Sequence, residues 1–229
     1  MTKNRQTKAV PVAALAGNPN VGKSTIFNAL TGMRQHTGNW PGKTVSLAQG
    51  VCMYKGEEIR LVDLPGTYAL VSKSQEETLA AGFISGGEAD CVIAVCDATS
   101  LERSLILALQ VMELTDRVIV CVNLMDEAQK QGIEIDLAAL SFELGVPVVA
   151  ASASREEGMG ELLEQLRRIL DGFEAPRPRR CGVVSDSIRE SHLGAEALRG
   201  ASGRDSDEIA AQFVRRAEEI TKRVVRETR

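Results

Sequence analysis

The run Gly17-Asn18-Pro19-Asn20-Val21-Gly22-Lys23-Ser24-Thr25 carries the densest chemistry in the chain. It fits GxxxxGK[ST]: the glycines let backbone N–H groups converge on phosphate oxygens, and a helix opening at Lys23 adds the positive end of its dipole. Lys23 is then a point charge for β and γ oxygens, and the Ser24 hydroxyl is a ligand for Mg2+. The bland alternative is a glycine turn with an exposed lysine. A second motif makes that hard to sustain. Asp63-Leu64-Pro65-Gly66 follows the apolar run 59–62, which places the Asp63 carboxylate at a strand's C-terminal end, where ligands bind in open α/β sheets. There Asp63 can hold Mg2+ through water. Gly66 can turn its N–H toward a γ-phosphate, so the loop is ordered with a triphosphate and released after hydrolysis.

Asn123-Leu124-Met125-Asp126 ends another apolar run, and an NxxD element there reads a base. An ionised Asp126 is acceptor-only, matching the N1–H and 2-amino donors of guanine, whereas adenine would leave it unpaired. Leu124 stands where the commoner form has Lys. Weaker packing on the base and faster nucleotide exchange are expected, and slow GDP release would contradict this. Ser152-Ala153-Ser154 can complete the base pocket through backbone N–H groups, although as a pattern it is slight.

These loops need elements to hold them. Apolar, strand-like runs recur at 10–16, 45–54, 59–62, 91–96, 118–122 and 146–150. Helical periodicity falls at 23–30, 75–84, 101–113, 136–144 and 159–170. Such alternation predicts an α/β fold with a mostly parallel sheet covered by helices on both faces. The first turn of the 75–84 helix carries Glu76 and Glu77, which read as a solvated acidic start with no chemistry.

Composition sets the outer bounds. The chain has 229 residues, 27 Lys+Arg against 31 Asp+Glu, a net charge of −4 and 44% hydrophobic residues. It can bury a core, and binding nucleic acid by charge alone is not expected. No apolar run approaches the roughly 20 residues of a membrane helix, and the charged start MTKNRQTK does not read as a signal peptide. Cys52, Cys91, Cys96, Cys121 and Cys181 form no CxxC pair and read as small core residues of a reduced, cytosolic protein. His36 and His192 are far apart in sequence, and no His/Cys/Asp/Glu cluster has the spacing of an iron site.

At Gly172 the composition changes. Pro176, Arg177, Pro178, Arg179 and Arg180 lack apolar periodicity, which places a domain boundary between 1–171 and 172–229. Beyond it, Asp205 with Glu208 resembles a capping box. It opens a helix whose Ile209, Phe213, Ala217, Ile220 and Val224 form an apolar stripe. That stripe packs on the α/β body as a small helical unit, or serves a partner or further segment.

In this order, the elements resemble the translation-factor-like class of P-loop GTPases over residues 10–171. The most particular stretch is Gln35-His36-Thr37-Gly38-Asn39-Trp40-Pro41-Gly42-Lys43-Thr44-Val45, where a mobile switch loop belongs. With GNPNVGKST, DLPGTYAL and NLMD, it resembles the switch I signature of the ferrous iron transport protein B family. The resemblance implies slow hydrolysis of GTP to GDP and phosphate by the cytosolic G domain and following helical domain of a multi-pass iron transporter. The membrane portion is not in this sequence, which then reads as a fragment from the cytosolic face of a bacterial inner membrane. Its implied partners are guanine nucleotide, its own membrane domain and a second copy, with no nucleic acid.

The resemblance places Thr44 on Mg2+ and the γ-phosphate, with Gly42 and Lys43 beside the nucleotide. Lys43 departs from the family's usual Val: it is either a solvated loop lysine or a charge reaching the nucleotide. The residue after Gly66 is Thr67, where Ras-type enzymes orient water with Gln, so hydrolysis is organised differently; the resemblance implies Lys23, Asn20, Thr44 and Gly66 as the catalytic set. Asn20 is implied to hold K+ together with switch I backbone, supplying the charge of an arginine finger; otherwise it is a turn residue. Two other readings stay open. One is a ribosome-assembly or tRNA-modification GTPase, for which Gly200-Ala201-Ser202-Gly203 has KH-loop spacing but no basic centre. The other is a non-catalytic, GTP-dependent switch.

Overall fold

The structure, a computed structural model, describes residues 10–32, 35–39, 46–71, 74–185, 188–189, 194–198 and 206–227. The apolar runs become strands because they are buried on both faces: β1 (Val12–Gly17) has Ala13, Ala14 and Leu15 fully enclosed. The expected switch loop begins instead with a strand, β2 (Gln35–Asn39), antiparallel to β3 (Ser46–Tyr54), which is in turn antiparallel to β4 (Glu57–Asp63). Residues 35–39 carry no apolar alternation, so no pattern flags an outer strand that pairs on one side only. The rest of that stretch, including Gly42, Lys43 and Thr44, lies outside the described residues.

β5 (Cys91–Asp97), β6 (Val118–Asn123) and β8 (Val148–Ala150) extend the sheet in parallel from β1. The strand order is β2-β3-β4-β1-β5-β6-β8. Register then does the positioning. Leu15 lies beside Asp63, Gly17 beside Val95 and Asp97 beside Asn123. The loops after β1, β4, β6 and β8 therefore leave from one edge of the sheet.

Helices cover both faces. α1 (Lys23–Thr31) and α6 (Met159–Leu170) bury Ile26, Phe27, Leu162 and Leu166 against Leu15 and Ile93. α2 (Gln75–Ser85), α3 (Leu101–Leu114) and α5 (Leu137–Leu144) pack on the other face with Ala14, Val92 and Val120. A short α4 (Met125–Lys130) and the strand β7 (Ile133–Ile135) follow β6. The four cysteines on strands, Cys52, Cys91, Cys96 and Cys121, are buried and free, and burial pushes the Cys121 thiol up to about 12, so it stays protonated and inert.

The tail is seated on this second face. After α7 (Gly194–Leu198), α8 (Ser206–Val224) buries the stripe Ile209, Phe213, Ala217, Ile220 and Val224 in the same core as α3 and α5. Its expected cap, Asp205, lies outside the described residues, as does Gly200–Gly203. The chain then returns as β9 (Val225–Glu227), antiparallel to β7. Arg223 and Arg216 of α8 converge on Glu143 of α5; the Arg223 hydrogen bond foremost holds that carboxyl below the usual range, so the contact persists until pH falls below it.

One buried charge fixes where the tail starts. Glu113, at the end of α3, is fully buried, and its carboxylate accepts four backbone N–H bonds: Cys181 and Gly182 at 2.6 and 3.0 Å on Oε1, Val183 and Val184 at 3.1 and 3.0 Å on Oε2. Gln212 of α8 closes the arrangement by donating to Cys181 O at 2.7 Å. Glu113→Ala leaves those four donors without an acceptor, and we expect a loss of about 3 kcal/mol. Urea denaturation measures it; an unchanged midpoint would show that the segment is held elsewhere.

Candidate functional site

At the C-terminal edge of the sheet the glycine loop turns from β1 into α1. Gly17 is packed so tightly that a Cβ would sit 2.9 Å from Val95 O. Gly22 adopts φ 80°, the left-handed region, and a Cβ there would fall 2.3 Å from Asn123 Nδ2. Asn20 is also left-handed, at φ 68°, and exposed. Val21 is not a ligand-facing residue; its side chain packs in the core beneath α1. Asn18 is buried, with Nδ2 donating to Arg103 O of α3 at 3.4 Å, and its Oδ1 has no hydrogen-bond partner among the described residues.

Lys23 is 8% exposed. Its Nζ donates to Asp63 Oδ1 and, at 2.7 Å, to Leu64 O. Ser24 Oγ donates to Asp63 Oδ2 at 3.3 Å. A hydroxyl and a carboxylate oxygen side by side are the hard oxygen donors that Mg2+ takes, so these residues fit that ion. Leu64 is core, Pro65 half-buried, and Gly66 exposed against Pro19, where a Cβ would stand 3.4 Å from the Pro19 backbone. Asn18, Pro19, Asn20, Gly22, Lys23, Ser24, Thr25 and Gly66 together line a cavity of about 560 Å³ into which α1 directs its N-terminus.

Glu77 corrects the sequence reading. Glu77 is half-buried rather than solvated: the Thr67 hydroxyl lies 3.1 Å from its Oε1 and 2.7 Å from Ala69 O, and the other Glu77 oxygen is buried without a hydrogen-bond partner among the described residues. Ser74 caps α2 by accepting from Glu77 N at 3.2 Å. The loop after Gly66 is also tied to α3, where Gln110 Oε1 accepts from Leu70 N at 2.5 Å. Glu76 is exposed, as expected.

The second half of the site is built on Asn123, 1% exposed. Its Nδ2 donates to Val21 O and its Oδ1 accepts from Ala153 N, both at 3.0 Å. Leu124 follows with φ 63°, turning the chain into α4, and Met125 N donates to Ala151 O at 3.2 Å. Asp126 is thereby held beside the 152–154 turn. Its side chain is 8% exposed, with Oδ2 3.3 Å from Arg155 Nε and Oδ1 buried without a hydrogen-bond partner among the described residues. Ser152 and Ala153 are buried and Ser154 is exposed.

Among the described residues, then, the 17–25, 63–66, 123–126 and 152–154 loops lie on one edge of the sheet and touch one another. Among them no group of three or more His, Cys, Asp and Glu residues could hold a metal ion, and no described helix is long and apolar enough to cross a membrane. Sequence reasoning missed Arg155, Gln110 and Glu77; only their proximity in space marks them.

A family model described as ferrous iron transport protein B matches residues 11–166. The Fe(2+) transporter FeoB of Salmonella choleraesuis strain SC-B67 is 41% identical over 208 residues, covering 81% of this chain and 26% of that protein. The protein of the same name from Escherichia coli strain K12 is 44% identical over 165 residues, covering 70% and 21%. The chain thus spans about a quarter of the length of these curated relatives. The cytosolic domain of the T. maritima FeoB iron transporter in a GDP form superposes with a TM-score of 0.82 at 32% identity, covering 95% of this chain and all of that one. Its GMPPNP form gives 0.81 at 34%, with the same coverage.

Asn123→Ala would remove two buried hydrogen bonds joining three loops. We expect a destabilisation of about 2–3 kcal/mol, read by thermal denaturation of the nucleotide-free protein; an unchanged melting temperature would show that the loops are organised without it.

Proposed function

This chain belongs to the ferrous iron transport protein B family, and on that premise we propose that it binds GTP and hydrolyses it slowly to GDP and phosphate, as the cytosolic nucleotide-binding part of a ferrous iron transporter. The observation that carries this is the Lys23, Ser24 and Asp63 cluster beneath the Gly17–Gly22 loop, with Asp126 on the same sheet edge. We read residues 1–171 as the nucleotide-binding unit and 172–229 as a helical appendage joining it to a membrane portion. The relatives named as transporters support the cytosolic placement and the coupling to iron; iron is cargo in this reading.

In this mechanism the backbone of residues 17–22 and the α1 N-terminus bind the β-phosphate, and Lys23 supplies positive charge to the β and γ oxygens. Ser24 and Asp63, with Thr44 from switch I, would hold Mg2+, which when bound neutralises charge on those oxygens. Gly66 presents its N–H to the γ-phosphate. Thr67 is committed to Ala69 O and Glu77, so water is not oriented from that position. Asn20, exposed on the cavity rim, would hold K+, which when bound would supply the positive charge that charge build-up between β and γ phosphates demands. Asp126 accepts from guanine N1–H and its 2-amino group, and Ser152, Ala153 and Ser154 close the base pocket. Leu124 gives the base an apolar but uncharged neighbour, from which rapid nucleotide exchange follows.

Lys23→Ala should abolish triphosphate binding in calorimetric titration, and retained binding would refute the phosphate-site assignment. GTP turnover with Mg2+ should be several-fold faster in KCl than in matched NaCl, and Asn20→Ala should erase that difference while GDP affinity stays nearly constant. Equal rates in the two salts would remove K+ from the mechanism.

A further inference from the structure

Asp126 poses a problem that its own motif does not solve. Its side chain is 8% exposed, yet it makes no hydrogen bond to the α4 backbone or to the 152–154 turn among the described contacts. A buried carboxylate needs a partner. The cation placed against it is Arg155, with Nε 3.3 Å from Oδ2. Oδ1, on the other side, is buried and unpaired. One oxygen is in ion-pair contact with a guanidinium and the other has no hydrogen-bond partner among the described residues.

Arg155 is well placed to hold it. It ends the turn 153–155, where its own N–H donates to Ser152 O at 2.8 Å, and the next residue, Glu156, is fixed in the left-handed region at φ 59° with its N–H on Ala153 O at 3.1 Å. The turn is itself anchored through Ala153 N to Asn123. Behind it, Gly158 at φ 83° admits no side chain, since a Cβ would meet Ala150 O at 2.1 Å. The Arg155 backbone is thus pinned to the residues that pin Asp126, while its side chain, 51% exposed, reaches back over the carboxylate.

We propose that Arg155 is a positioning residue for base selection: it locks the rotation of the Asp126 carboxylate so that Oδ1 and a free lone pair of Oδ2 face the two donors of guanine as a fork. This rests on the reading that Asp126 reads the base. A carboxylate free to rotate about its last bond satisfies one donor as readily as two, and a locked one gains most from a ligand offering both. The neutral Leu124 cannot supply this restraint, so the charge is borne by the turn after β8.

Affinities of the whole chain for GDP, inosine diphosphate, which lacks the 2-amino group, and ADP test the assignment. Wild type should prefer GDP strongly over inosine diphosphate. Arg155→Ala should lower GDP affinity about tenfold and inosine diphosphate affinity much less, narrowing the preference, with Arg155→Lys recovering part of it. In an Asp126→Ala background, Arg155→Ala should have no further effect. An undiminished guanine preference in Arg155→Ala would overturn the proposal, and so would an equal loss for all three nucleotides, which would mark Arg155 as merely structural. A wild type that binds ADP as well as GDP would instead overturn the base-reading assignment itself, and this proposal with it.

Discussion

The site depends on one buried amide. Asn123 leaves β6 where the strand ends, donates to the carbonyl of Val21 and accepts from the N–H of Ala153. It occupies the space that a side chain on residue 22 would need. This explains why residue 22 is glycine in local terms, beyond any approach of a ligand: the left-handed turn into α1 and the close passage of Asn123 both forbid a Cβ. Without this amide the phosphate loop and the base-side turn would be separate features of one sheet edge. With it, the loop that carries Lys23 and the loop that carries Asp126 are fixed relative to one another.

α3 organises the other side. Its first turn receives Asn18 through the carbonyl of Arg103, its middle receives the segment after Gly66 through Gln110, and its end receives the entry to the tail through Glu113. Each contact is a hydrogen bond to buried or half-buried backbone, the kind whose removal leaves an unsatisfied group and therefore costs most. The tail helix α8 packs along the same helix with its apolar stripe. The nucleotide loops and the helical appendage thus share a single support, and the appendage is joined to the body by core as well as by charge.

Much of this was legible in the sequence, for identifiable reasons. β1, β5 and β6 are buried on both faces and so appear as continuous apolar runs, and the stripe from Ile209 to Val224 has helical period because one face of α8 is covered. The phosphate loop is legible because its chemistry tolerates few residue types. What escaped notice has equally physical causes. β2 is a polar outer strand, and β7 and β9 are short partners drawn from distant parts of the chain. Glu113, Glu77 and Arg155 are charged residues on helices or turns, where charge ordinarily means solvent; only the fold brings four N–H groups, a threonine hydroxyl or an aspartate to them. The resemblance to the iron transporter family supplied what pattern alone could not, the proposal of a membrane partner.

The central claim is that this sheet edge selects a guanine nucleotide with its triphosphate. Calorimetric titration of the chain with GTP and, separately, ATP in Mg2+ tests it most directly. Saturable, one-to-one binding of GTP is expected, with no measurable binding of ATP over the same range. Equal affinity for the two, or no heat with either, would contradict it.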